Sequence, residues 1–274
     1  YHYKSYLIID GDLIFNINFK KFLIFHKKKK SDCTLLVHPN NHPYDSDTVN
    51  IDNKSKVIKF YPKRRKNVYK NNLCLSGIKI INNSSLQIIK KNRNEDFSKD
   101  YLPKLIKSKR IFAYNTREYV KDAGTYNRVI QARKDIKSLK YKKGSLYTKI
   151  PAIFLDKDGV INKLIKKRHY QNPKKILPNV YKAIKKINDS GFLCVVITNQ
   201  PAVAKGLIKE NKLIKDLNEL NSKLGKNNAY IDRIYYCPHH PSSGYSKEIK
   251  KIKIKCNCRK PKNGLFIRAI NELN

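Results

Sequence analysis

A short apolar run, Ile153-Phe154-Leu155, ends in two carboxylates one residue apart, Asp156 and Asp158, and Gly159 then lets the chain turn. The run reads as a buried parallel strand that delivers both acids to its C-terminal end. That is where open α/β sheets collect their ligands. For the pair to converge, the chain must leave the strand at Asp156, which the conformational freedom of Gly159 permits. The chain is therefore constrained towards a parallel α/β sheet with chemistry at one rim.

Phosphoryl transfer through an aspartyl-phosphate suits this pair. Asp156 would attack phosphorus while Mg2+ neutralises the phosphate oxygens. Asp158 would protonate the leaving alkoxide and then take a proton from the hydrolytic water. A calcium loop would need glycine at its sixth position, and Gly159 stands fourth, which excludes that reading. An isolated Asp-x-Asp-Gly is weakly specific, so its partners decide. Leu193-Cys194-Val195-Val196-Ile197-Thr198-Asn199-Gln200 reads as a second buried strand, ending in a hydroxyl and an amide suited to phosphate oxygens. Cys258-Arg259-Lys260-Pro261 supplies a lysine able to balance phosphate and carboxylate charge.

Asp, Thr and Lys in this order resemble the first three motifs of the haloacid-dehalogenase-like phosphatases. The match is closer to the histidinol-phosphate and heptose-bisphosphate phosphatase branch. Its Phe-Leu-Asp-x-Asp-Gly-x-Ile-Asn, Thr-Asn-Gln, Cys-Pro-His-His-Pro and Cys-x-Cys-Arg-Lys-Pro segments all occur here in order. The resemblance implies catalytic roles for Asp156, Asp158, Thr198, Asn199, Arg259 and Lys260, with Asp156 and Asp158 holding Mg2+. Lys205 stands where an arginine is commoner, which keeps charge and loses forked contacts. A fourth acidic motif of the family has no counterpart before Asn274, so weak turnover by this stretch alone is expected.

Six cysteines in a chain of cytosolic character argue against disulfides. Cys33, Cys74 and Cys194 lie in apolar strands and read as core. Cys237-x-His239 and Cys256-x-Cys258 form two close pairs, and three thiolates with one imidazole suit a closed, structural Zn2+ site. His240 is an alternative to His239 on spacing; the resemblance favours His239. Arg259 and Lys260 follow Cys258 directly, so the knot would place them beside the phosphate.

Residues 1–135 alternate strands and helices: strands at Ser5–Asp12, Cys33–His38, Val57–Lys63, Leu75–Ile81 and Ile111–Tyr114, and helices at Phe19–Lys30 and Leu102–Lys107. Gly11-Asp12, His42-Pro43-x-Asp45-Ser46-Asp47, Lys63, Asn72 to Gly77 and Asp122-x-Gly124-Thr125 resemble the sugar-1-phosphate nucleotidyltransferases, specifically the heptose-phosphate members. That resemblance implies Mg2+ on Asp12 and Asp122 and a sugar phosphate against Lys63 and Gly77. The family's glycine-rich, arginine-containing loop does not occur, and the chain starts at Tyr1 without any methionine. We therefore expect a piece of a longer frame with impaired nucleoside triphosphate binding.

The expected architecture is α/β, with two Rossmann-like parallel-sheet domains: a nucleotidyltransferase-like fragment at 1–135, a linker at 136–150 and a phosphatase-like fragment at 151–274. Within the latter, Asn179–Ser190 and Leu207–Leu224 read as helices and Ile231–Tyr236 as a strand. A hydrophobic fraction of 40% supports such cores, and no apolar run spans a bilayer. The net charge of +39 comes mostly from scattered lysine, with short runs only at Lys27–Lys30, Lys63–Lys66 and Lys166–Arg168. It reads as a solvated, biased surface that attracts sugar phosphates rather than as a nucleic-acid interface. The expected activity is removal of the 7-phosphate of heptose 1,7-bisphosphate, in a cytoplasmic route to nucleotide-activated heptose for lipopolysaccharide. Histidinol-phosphate phosphatase is the alternative enzyme, a basic nucleic-acid-binding protein the alternative class.

Overall fold

The structure is a computed structural model that describes residues 3–63, 71–89, 94–164, 175–242 and 244–274. The basic run at 166–168, and all of the 63–66 run beyond Lys63, lie outside the described residues. The chain divides into two compact units, with the break between Lys149 and Ile150.

The first unit contains β1 (Ser5–Ile9), β2 (Leu13–Asn16), α1 (Phe19–Lys28), β3 (Cys33–His38), β4 (Thr48–Ile51), β5 (Val57–Tyr61), β6 (Cys74–Asn82), α2 (Asn83–Leu86), α3 (Leu102–Ser108), β7 (Ile111–Asn115), β8 (Tyr119–Asp122), α4 (Tyr126–Lys137) and α5 (Lys140–Lys143). Its main sheet runs β5-β4-β6-β3-β7, with β1 also on β6. Strand β3 is a continuous apolar run because both its faces are covered. Cys33, Leu35 and Val37 join Leu102 and Leu105 of α3 on one side. Leu36 joins Phe22 of α1 with Ile78 and Ile80 on the other. Burial pushes the Cys33 and Cys74 thiols up to about 12, as expected of inert core cysteines.

Three details differ from the sequence reading. Only the β3–β7 pairing of the main sheet is parallel; β1, β3 and β4 all run antiparallel to β6. Strands β4 and β5, joined by a short connection, are antiparallel as well. The strand expected at Ser5–Asp12 ends at Ile9, because Gly11 turns the chain. Asp12 then stands just before β2, which pairs antiparallel with β8 (Leu13 opposite Asp122). Finally, of the stretch expected as a linker at 136–150, residues 136–149 belong to the first unit and Ile150 packs against the core of the second. Tyr141 O accepts from Asn16 Nδ2, Gly144 O accepts from Tyr119 N, and Arg117 donates to Ser145 O and Thr148 O. Backbone hydrogen bonds hold it, and these leave no periodicity to read.

The second unit contains β9 (Ala152–Leu155), α6 (Val180–Asp189), β10 (Leu193–Asn199), α7 (Glu210–Gly225), β11 (Arg233–Cys237) and α8 (Gly264–Leu273). Its sheet is wholly parallel, in order β11-β10-β9. Strand β10 is central and buried along its apolar length. Cys194 and Val196 pack with Ile184 of α6 and Leu220 and Leu224 of α7. Val195 and Ile197 pack with Leu265 and Ala269 of α8. Strand β9 was expected to be buried; among the described residues it is an edge strand, and Phe154 is 36% exposed. The parallel register brings the ends of all three strands to one rim, which places the acids, Thr198 and Cys237 near one another.

Candidate active site and metal centre

Each strand of the second unit ends in a chemical group. Asp156 follows β9 directly, Thr198 and Asn199 close β10, and Cys237 closes β11. After Asp156 the chain turns tightly: Gly159, at φ +88°, donates its N–H to Asn162 O, and Ile161 N–H reaches Lys157 O. The turn brings Asp158 back towards β10. There Gln200 Nε2 donates to Asp158 Oδ2 (2.8 Å) and to Thr198 Oγ1 (2.9 Å).

Lys260 Nζ lies 2.8 Å from Asp156 Oδ2 and donates to Ile197 O at 2.9 Å. Its main chain is clamped by Asn199, whose Oδ1 accepts from Lys260 N (3.0 Å) and whose Nδ2 donates to Lys260 O (3.1 Å). Asp156, Asp158, Thr198, Asn199 and Lys260 therefore share one rim. Both ends of the Asn199 amide are engaged by Lys260, whereas the sequence reading gave Asn199 to phosphate oxygens. Arg259 turns the other way, donating to His239 O at 3.3 Å.

Sequence reasoning assigned no role to Lys157 or Asn162. Lys157 is 1% exposed, and its Nζ meets Asp158 Oδ1 and, at 3.2 Å, Asn162 Oδ1. Asn162 Nδ2 also donates to Asp158 Oδ1 at 3.0 Å. A lysine between two acids looks solvent-facing in sequence, and only the turn after Asp156 folds it inward.

Cys237, His239, Cys256 and Cys258 bring three Sγ atoms and Nδ1 of the imidazole together, all within 4.8 Å of one another. The closest approaches are His239 Nδ1 to Cys258 Sγ at 3.1 Å, Cys258 Sγ to Cys237 and Cys256 at 3.3 Å, and Cys237 Sγ to Cys256 Sγ at 3.6 Å. A tetrahedral zinc with Zn–S of ~2.3 Å sets its donors about 3.8 Å apart, so the four residues fit it. His240 is not in the cluster; its Nδ1 accepts from Ser242 N. Burial raises the Cys237 thiol and lowers the His239 imidazole, favouring both neutral forms. A cation in the cluster reverses that preference for the thiols.

In the first unit Asp12 and Asp122 converge on Gly124. A Cβ placed there would lie 2.8 Å from Asp12 Oδ2 and 3.4 Å from Asp122 Oδ1, so glycine keeps open the space between two carboxylates. Arg128 Nη1 contacts both oxygens of Asp122, at 2.8 and 2.5 Å. Gly77 (φ +82°) lets Asp10 approach; a Cβ would come within 2.6 Å of Asp10 Oδ2. Lys63 lies just past β5, its N–H bonded to Asp47 Oδ1, two strands from β6, which carries Gly77.

Comparison with known proteins covers both units. Residues 1–138, just over half of the chain, match the family described as Nucleotidyl transferase. The D-glycero-beta-D-manno-heptose-1,7-bisphosphate 7-phosphatase of Vibrio cholerae is 37% identical over 124 residues, 45% of this chain and 64% of that protein. A Thermoplasma volcanium protein named "Probable D-glycero-D-manno-heptose-1,7-bisphosphate 7-phosphatase" is 32% identical over 44% of this chain and 75% of its own. The solved D,D-heptose 1.7-bisphosphate phosphatase of B. bronchiseptica, complexed with magnesium and phosphate, is 28% identical over 44% of this chain and 63% of that one, with a TM-score of 0.37. The chain belongs to the nucleotidyl transferase family through its first unit and to the heptose-bisphosphate phosphatases through its second. It spans 64% of the length of the V. cholerae relative.

Proposed function

We propose that the second unit removes the 7-phosphate of heptose 1,7-bisphosphate through a phosphorylated Asp156. The observation that carries this is the convergence on one rim: Lys260 Nζ lies 2.8 Å from Asp156 Oδ2, and Gln200 ties Asp158 to Thr198. Asp156 is the more open acid, with 43% of its side chain exposed, as a nucleophile must be. Lys260 pairs with it and would face the phosphate oxygens that are transferred. Thr198, 1% exposed, offers its hydroxyl beside them. Asp158 gives a proton to the leaving sugar oxygen and recovers one from the attacking water.

The open carboxylate of Asp156 would be the Mg2+ donor of this pair, because that of Asp158 is already bonded by Lys157, Asn162 and Gln200, which corrects the expectation that both acids hold the ion. Bound there, Mg2+ would neutralise charge on the transferring phosphoryl group. Zinc held by Cys237, His239, Cys256 and Cys258 is structural in this reading, since all four positions are filled. It fixes the segment from which Arg259 and Lys260 project.

The first unit is the nucleotidyltransferase partner. Asp12 and Asp122 would hold the metal of a nucleoside triphosphate, and Lys63 and Gly77 would face the sugar phosphate. Among the described residues no helix is long and apolar enough to cross a membrane, and a cytoplasmic setting accords with small phosphorylated substrates. The test is phosphate release from heptose 1,7-bisphosphate against histidinol phosphate, with Mg2+. Preference for the sugar, and a loss of roughly a thousandfold in Asp156→Asn, are expected. Preference for histidinol phosphate, or full activity of Asp156→Asn, overturns the reading.

A further inference from the structure

A fully buried ammonium is uncommon unless an anion neutralises it. Lys157 is such a group. Among the described residues its Nζ meets one carboxylate, that of Asp158, together with the amide oxygen of Asn162. Asn162 is itself 0% exposed and bonds the same carboxylate oxygen. Two donors therefore converge on Asp158 Oδ1. Oδ2 receives a single bond, from Gln200, which also holds Thr198. The two oxygens are thus unequal. Oδ1 takes two bonds from buried side chains; Oδ2 takes one and keeps a lone pair.

We propose that Lys157 is a positioning residue for the phosphatase reaction, acting through Asp158, and the proposal rests on the reading given above. Lys157 and Asn162 lock the Asp158 carboxylate so that Oδ2 alone handles the proton. The O–H bond at Oδ2 breaks as the sugar oxygen leaves with that proton. The carboxylate left behind is the anion that Lys157 neutralises, so the lysine favours release of the proton; the O–H bond re-forms when water attacks the phosphorylated Asp156 and surrenders a proton to the same oxygen. No other reactant is needed.

The locking bonds come from two loop residues, Lys157 and Asn162, while the Oδ2 bond comes from Gln200, just beyond β10. Loss of the lysine removes the charged one of the two bonds on Oδ1 and leaves the carboxylate held there by Asn162 alone. The effect should then track how much the leaving group needs a proton. A sugar alkoxide needs one; an aryl oxide such as p-nitrophenolate does not. The constant kcat/KM covers steps up to leaving-group departure, so it isolates this requirement from the later hydrolysis.

The experiment compares the wild-type chain with Lys157→Met and Lys157→Arg, using heptose 1,7-bisphosphate and p-nitrophenyl phosphate. Lys157→Met is expected to lose roughly 30-fold in kcat/KM on the sugar phosphate, at least tenfold more than on the aryl phosphate, and Lys157→Arg to recover most of it. Equal losses on both substrates would mark a merely structural lysine and overturn the proposal. A turnover-free arm keeps it separate from the phosphatase reading. The 15N resonance of the Lys157 ammonium should be shielded from solvent exchange in the wild type, and the shielding should be lost in Asp158→Ala. A rapidly exchanging ammonium in the wild type overturns the proposal whether or not phosphate is released; a shielded one in a protein inert to both substrates upholds the lock and overturns the activity.

Discussion

At the scale of single residues, the two acids of the rim have unequal structural duties. Asp156 is half-open and pairs with a partly exposed lysine, whereas Asp158 neutralises a buried one. Removing Asp158 strands that charge. Asp158→Ala is expected to cost about 3 kcal/mol in urea unfolding, and Lys157→Met added to it should recover much of the loss. A second titratable group lies in the first unit. His26, 4% exposed, is bonded to Thr34 Oγ1 and Asn82 Oδ1, and burial holds its imidazole below the usual range. Below about pH 6.5 the unfolded chain therefore binds the proton more readily than the folded one. The stability from neutral His26 is present above that pH and is lost as pH falls through this window; His26→Gln should flatten that part of the pH–stability curve.

At the scale of elements, the Cys237, His239, Cys256 and Cys258 cluster, proposed above to hold zinc, and the loops around it are the parts most sensitive to one atom. If the cluster holds zinc as proposed, Cys258→Ser should reduce bound zinc, measured by elemental analysis, from about one per chain to near zero and lower the thermal midpoint, since metal affinity adds to folding energy. Gly206 is at φ +69°, and a Cβ on it would lie 1.7 Å from Lys247 O. Gly206→Ala should thus destabilise the second unit by about 2–4 kcal/mol in chemical unfolding. The elements legible in sequence were those with strong periodicity or continuous apolar runs. The helix expected at Asn179–Ser190 forms as Val180–Asp189, and the strand read at Leu193–Gln200 forms as Leu193–Asn199. The paired acids, Thr198, Lys260 and the Cys/His spacing were legible because each sits at a strand end or a tight motif. What escaped depends on tertiary placement. The inward fold of Lys157 requires the turn at Gly159, and the clamp of Asn199 on Lys260 joins residues 61 apart in sequence. The mixed pairing of the first sheet hides behind strand–helix alternation that suggests parallel crossovers.

At the scale of the whole molecule, charge dominates. A formal +39 spread over 274 residues repels itself in any compact state. Raising ionic strength from about 0.05 to about 0.5 M should raise the thermal midpoint, as screening shortens the reach of each lysine; an unchanged or falling midpoint would show that the local ion pairs already balance the field. The same charge raises the concentration of small anions near both units. One further consequence follows from the Asn199 amide, which grips the Lys260 backbone on both sides. The hydroxyl of Thr198 and the ammonium of Lys260 are thereby riveted to a single beam, the central strand, and travel together whenever it shifts. Freedom to adjust belongs instead to Asp156, which follows a strand that is at the edge among the described residues.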